Sequence, residues 1–121
     1  KRITNDRYYD LKADDKLRLM TLEPESGEVK NAALLSGGTA DQAYLALRMA
    51  AVELLEPEGE KLPLIMDEVF SQYDDERTRN TLEYLKDVCK ERQIILMTGK
   101  TRELEQVKEI FGDDCTVHII D

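Results

Sequence analysis

Ser36-Gly37-Gly38 stands at the head of a long apolar run, and Asp67-Glu68 closes a short one, Leu64-Ile65-Met66. The two pieces suit phosphate chemistry in complementary ways. Glycines have no Cβ to hold a ligand off, and the first amides of a helix are unpaired and lie at the positive end of its dipole. A Ser-Gly-Gly turn entering a helix therefore favours an anion, although a plain glycine-rich cap on a core helix would use the same residues. Two carboxylates directly after a buried strand emerge at the carboxyl edge of a sheet, where open α/β sheets bind ligands. Strand alternation sends the two in different directions. Asp67 is then suited to hold Mg²⁺, directly or through water, and Glu68 to polarise an attacking water. An acidic loop in an acidic protein is the plainer reading of the same pair.

These residues need a helix behind the glycines and a sheet beneath the carboxylates, and the pattern supplies both. A helix is expected over about residues 39–55, ended by Pro57 and Gly59. Its apolar residues run nearly all round, so burial on several sides is expected, with Arg48 the exception that needs a partner. After Pro63 the continuous apolar run 64–66 reads as a strand in the middle of a parallel sheet. Asp74 and Asp75 can cap a helix to about residue 92, with Leu82, Leu85 and Val88 or Cys89 inward. Its solvated face would carry Arg77, Arg79, Glu83, Lys86 and Lys90. Ile94-Ile95-Leu96-Met97 is a second buried strand. Thr101 can cap a further helix that turns Leu104, Val107 and Ile110 or Phe111 inward and stops at Gly112, and residues 116–120 form a last strand. Strands and helices alternating at short spacing imply an α/β fold, a parallel sheet flanked by helices with right-handed crossovers.

The first part of the chain differs. Tyr8-Tyr9-Asp10-Leu11 and Leu17-Arg18-Leu19-Met20-Thr21-Leu22 are strand-like, separated by Ala13-Asp14-Asp15, and the turn Glu25-Ser26-Gly27-Glu28 leads to a short segment at Val29. A small N-terminal antiparallel β segment is expected.

The 121 residues fit one domain with one modest core. Acidic residues outnumber basic ones by 26 to 17, a net charge of −9, which argues against an extended nucleic-acid surface on this piece. No run approaches a membrane span and no signal-peptide pattern opens the chain, so a cytoplasmic protein is expected. Beginning at Lys1-Arg2 rather than a methionine, the chain is expected to be a piece of a longer protein or an engineered form. Cys89, Cys115 and the sole histidine, His118, lack metal-ligand spacing, and the cysteines read as small buried residues of a reducing compartment.

Taken together, the motifs resemble the C-terminal lobe of a P-loop, ABC-type ATPase head of the SMC, RecN and RecF class, with the pattern of the YhaN-like coiled-coil ATPases. Leu35-Ser36-Gly37-Gly38-Thr39 resembles the signature motif and opens a helix like Gln42-Ala43-Tyr44-Leu45-Ala46-Leu47-Arg48. Residues 64–68 resemble a Walker B strand, Ser71-Gln72-Tyr73-Asp74-Asp75-Glu76-Arg77 a D-loop, and Gln93-Ile94-Ile95-Leu96-Met97-Thr98 the strand that follows. The match in order and spacing runs from about residue 8 to residue 98. The resemblance implies that Asp67 serves Mg²⁺ and Glu68 is the general base for ATP hydrolysis. It implies that Ser36, Gly37 and Gly38 contact the γ-phosphate of ATP held by the opposite subunit, with Asp74 at the same dimer interface. A homodimer of ATP-sandwiched heads follows, with roles in DNA repair or chromosome maintenance and DNA contacts through the rest of the protein.

Two departures from the pattern have consequences. No G-x-x-x-x-G-K-[ST] loop is present, so the Walker A lobe is expected upstream, across a coiled coil, and residues 1–121 alone should bind ATP poorly. The switch histidine is replaced by the Gly99-Lys100 region; Lys100 offers a cation but not a neutral imidazole, and His118 is too far along to match. Two other readings stand beside an ATPase half-head: a degenerate head that clamps on ATP with little hydrolysis, and an α/β interaction domain without nucleotide.

Overall fold

The computed structural model describes residues 9–13, 19–22, 28–31 and 37–120. The expected turns at Asp14-Asp15 and Ser26-Gly27, together with Tyr8, Leu17, Arg18 and Ser36, lie outside them. Three strands, β1 (Tyr9–Ala13), β2 (Leu19–Leu22) and β3 (Val29–Asn31), pair antiparallel in sequence order. Leu22 faces Tyr9 on one side and Val29 on the other, and an irregularity between Tyr9 and Lys12 shifts the β1–β2 register. This is the expected antiparallel segment.

The rest alternates helix and strand: α1 (Gly37–Leu55), β4 (Leu64–Asp67), α2 (Asp75–Val88), β5 (Ile94–Met97), α3 (Thr101–Phe111) and a 3₁₀ turn over Gly112–Asp114. β4 and β5 are parallel, with Leu64 opposite Ile94 and Asp67 opposite Met97. The small parallel sheet with helices is the α/β arrangement expected. Alternation turns Met66 into the core with partly buried Leu64, Ile94 and Leu96, where Phe70, Tyr73, Leu82, Leu85, Ile110, Leu45 and Met49 meet them. Each such side chain stabilises the fold by about 1.5 to 3 kcal/mol relative to exposure.

Two expectations of full burial are corrected. β4 is not sandwiched: Ile65, Ile95 and Met97 share an exposed face, because among the described residues only the other face meets helices. α1 buries one stripe, Gln42, Leu45 and Met49, and leaves Tyr44, Leu47, Leu54 and Leu55 exposed. Arg48 is also exposed, where a guanidinium can be solvated without a buried partner.

The helix ends also differ from expectation. α2 stops at Val88, and a turn brings Arg92 back inward, 7% exposed, where its guanidinium pairs with Glu56 and donates to the Leu62 carbonyl at 2.9 Å. Cys89 thereby falls at the helix end, exposed rather than buried, and Cys115 is half-buried; both are free thiols. Burial of part of the Cys89 thiol still raises its pKa. α3 is preceded by Lys100 with no side-chain cap, and Thr101 is its first helical residue rather than its cap. At its other end Gly112 takes φ 54°, as expected of a glycine stop, and Lys86 Nζ donates to Ile110 O at 2.9 Å. Residues 116–120 form no strand: no described strand pairs with them, and Ile119 and Ile120 stand in solvent. β-type composition does not make a strand without a neighbour to take its hydrogen bonds.

Candidate functional site

The carboxyl ends of β4 and β5 position the acidic pair. Glu68 N donates to Met97 O at 3.0 Å, which extends the ladder one bond past β4, and Ser71 N then donates to Glu68 O at 3.2 Å to close a turn. Phe70, fully buried, anchors that turn, and its ring meets Tyr73 edge-on at 5.5 Å and 61°. At the hinge Glu68 takes φ 49°, the one non-glycine residue with positive φ among the described residues. Such a backbone costs on the order of 1 kcal/mol and persists only where the surroundings fix it.

That conformation decides where the carboxylate goes. Glu68 Oε1 accepts from Gly99 N at 2.5 Å, across the gap between the two strand ends. A Cβ on Gly99 would lie 3.2 Å from the same oxygen, so the glycine gives the amide its close approach. Strand alternation alone does not give this arrangement; the left-handed residue re-aims Glu68 toward the loop where the resemblance leads one to look for a histidine. Asp67 stays at the strand end, exposed and without a partner among the described residues.

Asp74 sits where a cap belongs. Its Oδ1 accepts from Arg77 N at 2.8 Å, and its Oδ2 accepts from the Arg77 guanidinium at 2.7 Å. Both oxygens thus serve the first turn of α2, as the N-cap preference for Asp dictates. Next to it, burial holds the Tyr73 hydroxyl well above the usual tyrosine value, the Asp41 charge adds to the rise, and Arg77 opposes it. Gly37 and Gly38 are the first residues of α1, and Ser36 lies outside the described residues.

One buried group was not expected. Glu103 on α3 is fully buried, and its Oε2 accepts from the Thr98 hydroxyl. Thr98 Oγ1 in turn accepts from Lys100 N at 3.1 Å. Lys100 Nζ stands 3.8 Å from Glu103 Oε1. The neighbouring Arg102 donates to Tyr73 O at 3.1 Å and pairs with Asp75 at 3.1 Å. The signal for Glu103 was its spacing: it lies on the same inward stripe as Val107 and Ile110, where a charge needs partners.

For a divalent cation the donor set is sparse. No cluster of three or more His, Cys, Asp or Glu suited to a metal exists among the described residues. Mg²⁺ is commonly held by one or two carboxylates together with substrate phosphates and water rather than by an all-protein cage, and exposed Asp67 fits that pattern. No helix among the described residues is long and apolar enough to cross a membrane.

No family model matches the chain. Over 113 residues, 93% of this chain, it is 33% identical to the uncharacterized protein YhaN of Bacillus subtilis (strain 168), of which the match spans 11%. Among solved structures, one from a study of ATP-driven dimerization and DNA-stimulated activation of SMC ATPases superposes with a TM-score of 0.65. It shares 19% identity, over 84% of this chain and 63% of that one. The Smc head domain with an extended coiled coil, bound to the C-terminal domain of ScpA and derived from Pyrococcus furiosus, gives a TM-score of 0.55 at 21% identity. That match covers 74% of this chain and 21% of that one. The chain thus spans less than two thirds of each relative. Its fold is that of the C-terminal lobe of an SMC-like ATPase head, as the sequence motifs implied.

Proposed function

We propose that this chain is half of an ATP-hydrolysing head, completed by an N-terminal lobe with a lysine-bearing phosphate loop and working as a head-to-head dimer around ATP. The observation that carries the reading is Glu68: a carboxylate at the carboxyl edge of a parallel sheet, one oxygen fixed by Gly99 N–H at 2.5 Å. The second oxygen is left to take a proton from the water that attacks the γ-phosphorus, and a fixed carboxylate does this without first having to be oriented. Asp67 beside it would hold Mg²⁺, which when bound neutralises charge on the β- and γ-phosphate oxygens. Ser36, Gly37 and Gly38, at a helix N-terminus with no lysine, suit completing the site of the opposite subunit rather than building one of their own. Asp74 caps α2 and belongs to the same interface. The likeness to heads described by ATP-driven dimerization and DNA-stimulated activation fits such a dimer; the reading extends to a role in DNA repair or chromosome maintenance in the cytoplasm, with DNA met by other parts of the protein.

The test is ATP turnover and light-scattering mass of the full-length protein, wild type beside Glu68→Gln. Wild type is expected to turn over slowly. Loss of the general base should lower kcat by about 10²- to 10⁴-fold and trap an ATP-dependent dimer. No ATP-dependent dimer in either form would refute the reading. A dimer with no wild-type turnover would instead establish a clamp, the alternative favoured by Gly99 and Lys100 standing where an imidazole is expected.

A further inference from the structure

Glu68 is held by a loop, and that loop is itself held from below. The turn 98–100 carries the amide that reaches Glu68, and nothing in its own sequence, Thr-Gly-Lys, makes it rigid. The rigidity comes from α3. Thr98 uses its hydroxyl twice, donating to Glu103 and accepting from Lys100 N, so the loop is pinned on both sides of Gly99. A carboxylate with no exposed surface is an expensive support, because desolvating a charge costs several kcal/mol unless hydrogen bonds and opposite charges offset it. For packing alone an apolar side chain on this stripe would serve better. One residue earlier on the same helix, Arg102 grips the Tyr73 carbonyl and the Asp75 carboxylate. The turn before α2 and the loop that fixes Glu68 are therefore fastened to the same turn of α3.

We propose that Glu103 is a positioning residue for Glu68, acting through Thr98 and the Gly99 amide, and that Arg102 links this support to the turn containing Asp74. Glu103 touches no reacting atom. It sets the place of the amide that sets the place of the base. Movement of the turn containing Asp74 when two heads meet would then reach Glu68 through one rigid turn of α3. The inference rests on the function proposed above and adds how its base is kept in place.

The experiment uses the full-length protein with two readouts. Without nucleotide, hydrogen–deuterium exchange is followed for the peptide spanning residues 97–100. With ATP, kcat and KM are measured separately. Thr98→Val removes the hydroxyl at nearly constant shape, and Thr98→Ser restores it. Glu103→Leu removes the acceptor, and Glu103→Gln keeps one. Thr98→Val and Glu103→Leu should speed exchange in the peptide and lower kcat about tenfold or more, as small misplacements of a catalytic group do. KM should stay within about twofold, since ground-state binding is untouched. Thr98→Ser and Glu103→Gln should stay close to wild type in both readouts. Unchanged exchange and kcat in Thr98→Val would overturn the proposal even if Glu103→Leu failed to fold, as would faster exchange with unchanged kcat. Absence of wild-type turnover would refute hydrolysis instead, and the exchange readout would then decide alone whether Glu103 holds the loop.

Discussion

Replacing Arg92 by Met should cost the fold about 3 kcal/mol, far more than loss of a surface cation. The Arg92 side chain is 3% exposed and pairs with Glu56, itself 5% exposed, where the chain leaves α1. The same guanidinium donates to Leu62 O at 2.9 Å, on the approach to β4. Met keeps an unbranched apolar stem, so the change removes charge and hydrogen bonds more than packing. Removing one partner of a buried pair costs about 3 to 5 kcal/mol, because the other charge stays buried alone. Here Lys61 Nζ remains 3.7 Å from Glu56, which sets the value at the low end of that range. Glu56→Met strands a guanidinium that keeps its carbonyl acceptor, at a cost of about 2 kcal/mol. The double replacement leaves chiefly the Leu62 carbonyl unpaired, for about 1 to 2 kcal/mol. The two single losses should thus exceed the double one by about 3 to 4 kcal/mol, as expected for residues in direct contact. Urea unfolding followed by circular dichroism, with an unchanged m-value, gives all three numbers. A difference below about 0.5 kcal/mol, the range of independent sites, would refute the reasoning and reduce the pair to an ordinary surface contact.

Asp74→Ala removes the cap of α2 and should cost about 1 kcal/mol in the same unfolding assay, whereas Asp74→Asn should lose little, because Asn caps equally well. Equal losses in both would mean that the Arg77 charge, rather than the cap, carries the effect. Tyr73 gives a pH prediction: its folded pKa is raised above the usual 10.0, so its contribution to stability is full below pH 10 and erodes as pH rises from there. Unfolding curves at rising pH should show this decline in wild type and a weaker one in Tyr73→Phe; identical slopes would contradict it.

The parts legible in the sequence were those that depend on local chemistry. The glycines opening α1, the acidic pair closing β4, the Asp74 cap and the inward stripe of α2 all follow from rules that act within a few residues. What was not legible depends on partners distant in the chain. The run 64–66 reads as buried on both faces, yet burial is a property of what packs against a strand, and Ile65 is 68% exposed. The segment 116–120 has strand composition, and only a neighbouring strand could have made it one. Arg92, at the end of the span expected for α2, shows its buried role only once Glu56, far back in the chain, is seen facing it.

The same distinction explains the acidic pair. Its existence was local information, but the directions its two side chains take were not. Alternation assigns Asp67 and Glu68 to opposite sides of a strand, whereas the chain leaves the strand between them and turns Glu68 through a left-handed conformation. That backbone is unfavourable in isolation and would relax unless the Met97 carbonyl, the Gly99 amide and the buried Phe70 together held it. Two of those three anchors lie on the far strand and the loop after it. The orientation of Glu68 is therefore a property of the β4–β5 pair, and under the α3 support proposed above, changes at Thr98 or Glu103 should be felt at Glu68 even though they leave the Asp67-Glu68 motif intact.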